Sequence, residues 1–276
     1  VERTPQAVSH LLARSVQEVL DAAHVNRSRL LGVGVGLAGI IDSQAGLCRI
    51  SPHNGWREVP FAQLLEDELG CIVSLDNNVN TLTRVEQLYG LGQQVRDFLV
   101  ITIGRGVGMG IVANGQVYRG TRGGGGEFGH MVIDPDGFVC GCGNRGCLET
   151  FVAEPWLLHR ARLWGLNVPT PDELVAAAQA GDTVARDVFA KAGQVLGCAI
   201  ASAVNLLNPA LILISGEGVR AGDFLLGPMR EAAQKHMFGQ LAEDVVIRVE
   251  PLSDDTWARG AASLVLGRIF SMPDLE

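Results

Sequence analysis

The sequence of 276 residues contains no run of five basic residues, and its 22 Lys and Arg are outnumbered by 30 Asp and Glu. Since binding to nucleic-acid phosphates requires clustered positive charge, a net charge of −8 argues against these residues as the main contact with DNA or RNA. No uninterrupted apolar run approaches the roughly 18 residues of a membrane-spanning helix, and the N-terminus shows no secretory signal. We therefore expect a cytoplasmic protein with no membrane partner.

Cysteines are few, and half of the six are isolated. Cys48, Cys71 and Cys198 stand alone in apolar surroundings and are expected to be buried without a chemical role. The other three fall within eight residues, at 140, 142 and 147. In a cytoplasmic chain, such clustering favours a metal site over disulfides.

Glycine is abundant, with 35 residues, about 13% of the chain against about 7% in an average protein. The excess lies in short clusters, which favours ligand-binding loops over a fibrous repeat. An apolar content of 47% with 19% charged residues indicates a folded chain with a substantial core.

Apolar periodicity and turn signals predict an α/β fold with a largely parallel sheet. A glycine-alternating strand over 31–37 precedes a turn over 38–42. A boundary between two lobes is expected near residues 90–97. The lobes predicted are a smaller one, 1–92, and a larger one, 93–255. The helices predicted after the first, which starts at Thr4-Pro5, are 61–69, 78–89, 155–164, 171–180, 183–206, 219–237 and 256–270, and the further strands are 71–75, 98–103, 109–112, 211–215 and 245–249.

The strongest motif is His130-x9-Cys140-x-Cys142-x4-Cys147. One imidazole and three thiolates complete a tetrahedral zinc shell and leave no position for water, which is typical of a structural site. The alternative is three free thiols with an incidental histidine. The motif predicts a structural Zn²⁺ that holds the surrounding glycine-rich segment.

A second set consists of polar side chains, Asn77, Asn78, Glu127, His130 and Glu149. The asparagines follow the strand 71–75, at the end where α/β sheets bind ligands, and both glutamates lie within three residues of a predicted zinc ligand. Amides and carboxylates in one cleft suit a polyhydroxylated ligand. For the asparagine pair, ordinary helix capping is the alternative.

The run Gly104-Arg105-Gly106-Val107-Gly108 lies between two predicted strands. Its backbone N–H groups could bind phosphate, although a tight hairpin explains the glycines equally well.

These residues together resemble the signature of the ROK family of sugar-responsive repressors and bacterial sugar kinases. The resemblance is carried by Gly120-x5-Gly126-Glu127-Phe128-Gly129-His130 and by the cysteine segment from 140 to 150. It implies an actin-like (ribonuclease H-like) ATPase/sugar kinase fold of two lobes, with the C-terminal helix 256–270 returning to the first lobe. It also adds Gly39 to the sugar-binding set and implies a homodimer or tetramer.

Two departures separate this chain from the family's kinases. Those kinases have an Asn-Asp pair whose Asp takes a proton from the sugar hydroxyl, whereas this chain has Asn77-Asn78, and an amide is no general base. The kinases also begin with an Asp-x-Gly-Gly-Thr phosphate loop, which does not precede Thr4-Pro5. The loop containing Gly104, Gly106 and Gly108 is then a vestigial phosphate loop.

The resemblance therefore points to the repressor branch, without enzymatic activity. We expect the effector-binding and oligomerisation domain of a regulator of sugar-utilisation genes, whose DNA-binding winged helix-turn-helix would lie upstream and outside this chain. The alternatives are an ATP-dependent sugar kinase with a substituted base and a zinc-stabilised scaffold without a ligand.

Overall fold

The computed structural model describes residues 2–253 and 255–270 and separates into two compact units. Unit 1 comprises Val1–Gln94, Gly110–Gly125 and Ser253–Glu276, and unit 2 comprises Val95–Met109 and Gly126–Leu252. The structure thus assigns residues 110–125 to unit 1, whereas the division expected from the sequence places them in the larger lobe.

Unit 1 combines two small sheets with four main helices. A two-stranded parallel sheet pairs β1 with β5, and a three-stranded antiparallel sheet has the order β2-β3-β4. Its elements are α1 (Pro5–Ala22), β1 (Gly32–Leu37), β2 (Ile40–Asp42), β3 (Leu47–Ser51), β4 (Trp56–Val59), α2 (Phe61–Leu69), β5 (Ile72–Asn77), α3 (Asn78–Tyr89), β8 (Gln116–Val117) and α10 (Thr256–Phe270).

The antiparallel sheet corrects the prediction for residues 38–59. The sequence predicts only a turn over 38–42, but part of this segment forms strand β2. The sequence predicts no strand for the residues that form β3 and β4. The three strands are only three to five residues long, and the register between β2 and β3 shifts after Ile40. An alternating pattern over so few residues is too short to detect in the sequence.

The glycines of β1 allow α10 to pack directly on that strand. A Cβ at Gly34 would clash with the backbone carbonyl of Ala261 in α10. Helix α10 also contacts α3 and β5. Glycine weakens a strand unless another backbone approaches closely, and here the helix makes that approach.

A five-stranded sheet has the order β10-β9-β6-β7-β8; its strands β10, β9 and β6 belong to unit 2, and β9 runs parallel to both β6 and β10. Strand β7 passes from unit 2 into unit 1, where it pairs with β8 through a hairpin at Asn114 and Gly115, both with positive φ. The elements from β6 onward are β6 (Phe98–Ile103), β7 (Val107–Ala113), α4 (Glu149–Val152), α5 (Glu154–Leu163), α6 (Pro171–Gln179), α7 (Thr183–Leu207), β9 (Leu211–Ser215), α8 (Asp223–His236), α9 (Leu241–Asp244) and β10 (Val246–Val249).

Helix α7 is the core helix of unit 2. It is the one described helix long and apolar enough to cross a membrane, but half of its most apolar window is buried within the protein, largely against α8. This burial is typical of a helix in the core of a folded unit.

Two further predictions are wrong in detail. The helix expected over 219–237 is split into a short 3₁₀ helix, Glu217–Ala221, and α8, because Gly222 between them has a φ of 57° that a continuous helix does not allow. Cys198, expected to be buried, is exposed on α7, whereas Cys48 is buried in the core of unit 1.

Candidate functional site

Unit 2 brings His130, Cys140, Cys142 and Cys147 together into one cluster. Their four potential ligand atoms lie within 4.8 Å of one another. Nδ1 of His130 is 3.6 Å from Sγ of Cys140, and Sγ of Cys142 is 3.6 Å from Sγ of Cys147. Bonds of about 2.0–2.3 Å in a tetrahedron separate ligands by roughly 3.6–3.8 Å, so the cluster can hold a metal ion.

A compact backbone framework holds the three cysteines in place. The N–H of Cys140 donates to the carbonyl of Asn144 (2.7 Å), and that of Gly143 donates to the carbonyl of Cys140 (2.9 Å). Gly143 and Gly146 both have positive φ, and a Cβ at Gly146 would clash with the carbonyl of Asp134. The glycines are therefore required for the tight turns that bring the thiols together.

Glu127 lies beside the histidine of the cluster. Glu127 precedes the short 3₁₀ helix Phe128–His130, and its Oε2 is 3.8 Å from Nε2 of His130. Burial raises the pKa of the Glu127 carboxyl, the neighbouring His130 lowers it, and the negative charge of Glu149 raises it. With Nδ1 directed at Cys140, Nε2 is left to bind a carboxylate or a ligand hydroxyl.

Glu149 is held at the start of α4, against the strand β7. Its Oε2 accepts from the N–H of Val107 (3.2 Å), and its Oε1 is 3.9 Å from Sγ of Cys140. Buried Arg160 fixes the same helix by donating to the carbonyls of Thr150 (3.1 Å) and Phe151 (2.9 Å). The structure thus places Glu127, His130 and Glu149 around the cysteine cluster, within one unit.

In unit 1, Asn77 acts as a structural residue. Its Oδ1 accepts from the N–H groups of Val79 (2.7 Å) and Asn80 (3.3 Å), which caps α3. Its Nδ2 donates to the carbonyl of Gly39 (2.9 Å), so the structure brings these two predicted sugar ligands together. The capping alternative therefore describes what the Asn77 side chain does.

Asn78 differs from its neighbour. It is the first residue of α3 and half-buried, and its backbone carbonyl accepts from Oγ1 of Thr81 (2.6 Å). Among the described residues, none forms a hydrogen bond with the Asn78 side-chain amide. That amide is therefore available to a ligand at the helix start.

The sequence reasoning missed the partner of Asp76. Asp76 is 1% exposed, and its Oδ1 accepts from the N–H of Asn77 (2.8 Å) and from Nδ2 of Asn80 (3.0 Å). Its Oδ2 accepts from Nε of Arg119 (2.8 Å), and Nη2 of the same guanidinium lies 2.8 Å from Oδ2 in an ion pair. No local pattern pairs residues 43 positions apart; the only signal is an arginine directly before Gly120 of the recognised motif.

The glycine-rich loop between β6 and β7 lies next to Glu149 in unit 2. Gly104 is buried, and a Cβ at Gly106 would lie 2.9 Å from Oε2 of Glu149. Gly108 belongs to β7 itself. The loop is thus a tight connection between two strands, packed on a carboxylate.

Comparison with known proteins identifies relatives of two kinds. Residues 1–268 match the ROK family. The chain is 28% identical to the xylose repressor of Caldicellulosiruptor bescii over 96% of this chain and 69% of that protein. It is 33% identical to the glucokinase of Halalkalibacterium halodurans over 92% of this chain and 82% of that protein. Regulators and kinases are therefore similar to this chain at comparable levels.

A solved structure shows the same fold. The crystal structure of a ROK family transcriptional regulator, a homologue of the E. coli MLC protein, matches 94% of this chain and 68% of that chain, with a TM-score of 0.83 and 28% identity. This agreement supports the α/β sugar-kinase-like fold expected from the sequence.

Proposed function

This chain belongs to the ROK family, and from that premise we propose that it is the sugar-binding and oligomerisation part of a cytoplasmic transcriptional regulator of sugar utilisation. A sugar effector would bind to it, and binding would shift the regulator between two states through unequal affinity for them. The protein would not itself transfer phosphate.

The observation that carries this proposal is the absence of an available base at the start of α3 in the described structure. The family's kinases use an Asp where this chain has Asn78, and an amide cannot take a proton from a sugar hydroxyl. Asp76, two residues earlier, accepts three hydrogen bonds, forms an ion pair with Arg119 and is 1% exposed. Its carboxylate is therefore committed to the structure of unit 1.

We assign the sugar-binding roles according to what each side chain leaves unused. The amide of Asn78, the carboxylates of Glu127 and Glu149 and Nε2 of His130 offer donors and acceptors to hydroxyl groups. Asn77 and Gly39 act through their mutual hydrogen bond, which shapes the turn beside them.

Zinc is the metal that best suits the cluster of His130, Cys140, Cys142 and Cys147. Three thiolates and an imidazole are a typical closed structural shell for Zn²⁺. When bound, the ion would fix the 130–149 segment and thereby hold Glu127, His130 and Glu149 in position. It would have no role in chemistry on the sugar.

Contact with DNA would belong to a part of the regulator outside these residues. The net charge of −8 does not suit a phosphate-binding surface, and about a third of the similar xylose repressor lies outside the match. Self-association as a homodimer or tetramer is proposed from the family resemblance alone.

A sugar kinase is the second candidate function. It is favoured by the glucokinase of H. halodurans, which is 33% identical and covered over 82% of its length. In that case phosphoryl transfer would require a base other than Asn78.

Calorimetric titration with glucose, xylose and N-acetylglucosamine tests the proposal. We expect saturable binding of one of these sugars, with the loss of binding in Glu149→Ala and unchanged binding in Glu231→Ala, an exposed control on α8. A coupled assay with Mg-ATP and the bound sugar should show no phosphorylated product. Binding that survives Glu149→Ala contradicts the site assignment, and sugar phosphorylation establishes the kinase instead.

A further inference from the structure

The loop between β6 and β7 pairs some of its own backbone donors that a phosphate would need. The N–H of Gly104 donates to the carbonyl of Gly106 (3.0 Å), and that of Met109 donates to the carbonyl of Gly126 (3.3 Å). The N–H of Val107 donates to Oε2 of Glu149 (3.2 Å). A phosphate cradle depends on several unpaired N–H groups that point to one ligand, and two N–H groups of this loop, those of Gly104 and Val107, are already paired within the protein.

A second carboxylate, that of Glu217, lies directly on this loop. Its Oε2 occupies the space that a Cβ at Gly104 would need. Glu217 begins the 3₁₀ helix after β9, and the preceding Gly216 (φ 97°) packs so tightly on the backbone of Ile103 that no Cβ fits there. The backbone of Glu217 is therefore fixed next to the loop. This places the negatively charged carboxylate of Glu217 directly against Gly104.

The neighbouring arginine does not offset this charge. Arg220 forms ion pairs with Glu154 (2.5 Å) and Asp172 (2.8 Å), and it donates to the backbone carbonyl of Glu217 (3.0 Å) instead of its carboxylate. Two carboxylates, those of Glu149 and Glu217, thus lie against the loop, while Arg220 is already paired and Arg105 of the loop is exposed to solvent. Negative charge held at this position disfavours a bound polyphosphate.

We infer that Glu217 is a specificity determinant that excludes nucleotide phosphates from the Gly104–Gly108 loop. The carboxylates of Glu149 and Glu217 occupy the position at the loop where a polyphosphate would have to bind. This inference deepens the proposed function and rests on it, since a sugar sensor that does not bind ATP needs no phosphate loop.

Titration with inorganic tripolyphosphate in the presence of Mg²⁺ tests the exclusion. The proteins compared are the wild type, Glu217→Gly, which removes the side chain, and Glu217→Gln, which removes only the charge. Glu243→Gln, an exposed residue of α9, is the charge-matched control. Thermal unfolding of each variant checks that the fold is retained.

We expect no saturable binding by the wild type or Glu243→Gln at millimolar tripolyphosphate. Glu217→Gly should bind at least tenfold more tightly than the wild type, equivalent to about 1.4 kcal/mol, and Glu217→Gln should lie between them. Saturable binding by the wild type, or a folded Glu217→Gly protein that binds no better, overturns the inference. Sugar titrations on the same samples test the proposed function separately. Absence of sugar binding contradicts the proposed function, whereas the tripolyphosphate result tests the exclusion of phosphate by Glu217.

Discussion

Arg119 and Asp76 form an ion pair inside unit 1 between a partly exposed guanidinium and a buried carboxylate, with Nε and Nη2 each 2.8 Å from Oδ2. The pair joins the end of β5 to the segment after β8, and Nη1 of Arg119 also donates to the carbonyl of Val117 (3.1 Å). Because Asp76 lies near the end of β5 and its Oδ1 accepts from the N–H of Asn77, this contact helps to fix the position of Asn77 and Asn78.

Replacing Arg119 should destabilise unit 1 strongly. Arg119→Ala leaves the nearly fully buried Asp76 carboxylate without its cationic partner, and breaking such a pair costs about 3–5 kcal/mol. We expect a loss in the free energy of unfolding near the lower end of that range, since the Arg119 side chain is itself 32% exposed. Urea denaturation measures it, and Arg122→Ala, which alters an exposed neighbouring arginine, should change stability by less than about 0.5 kcal/mol. Equal stability of the two variants would contradict the importance of the pair.

The adjacent asparagines should respond differently to the same substitution. Asn77→Ala removes the cap of α3 and should lower the free energy of unfolding by about 1 kcal/mol. Asn78→Ala removes an amide with no described protein partner, so stability should change little while the affinity for the sugar falls at least tenfold, about 1.4 kcal/mol. Denaturation and calorimetry on both variants test this contrast. If Asn78→Ala lost much of its stability but kept its sugar affinity, the role of Asn78 would be structural.

Elements with local signals were predictable from the sequence. Helix α3 begins at Asn78 and ends at Tyr89 as predicted, because its cap lies in the residue directly before it. The start of α1 after Thr4 follows from the same principle, since the Thr4 side chain accepts from the N–H of Ala7. The cysteine cluster is also local, with all three thiols within eight residues.

Contacts between distant residues were not predictable in this way. Val107 and Glu149 are 42 positions apart, and Asp76 and Arg119 are 43. Such pairs depend on tertiary packing, which leaves no periodicity in the sequence. The placement of Glu217 on Gly104 is of the same kind, because it requires β9 to lie beside β6.

Removing one thiol of the cluster should release the metal. Cys142 is the exposed member, so Cys142→Ser changes little packing while it removes a ligand. We expect metal content, measured by elemental analysis, to fall from about one zinc per chain to well below half. Protease cleavage within residues 131–148 should become faster. Cys198→Ser, at an exposed cysteine of α7, is the matched control and should retain both metal and resistance. Full metal content in Cys142→Ser would refute its role as a ligand.

The Glu154 carboxyl should contribute to the pH dependence of the free energy of unfolding. Burial raises the pKa of this carboxyl above its ordinary value of 4.5, with Arg220 opposing the shift and Glu217 and Asp172 adding to it. A raised pKa in the folded state means that folding binds protons, so this group's contribution to stability is fully present below about pH 4.5 and is lost as the pH rises through the folded-state pKa. Glu154→Gln, which stays neutral, should escape that loss.

The difference in the free energy of unfolding between Glu154→Gln and the wild type should therefore shift in favour of the variant as the pH rises from 4 to 7. Glu231→Gln, on the exposed face of α8, should show a nearly constant difference over the same range. Urea denaturation at half-unit pH intervals measures both curves. A difference that moves in favour of the wild type with rising pH would mean that the ion pair with Arg220 outweighs burial, because an attractive charge lowers a carboxyl pKa and reverses the sign of the dependence.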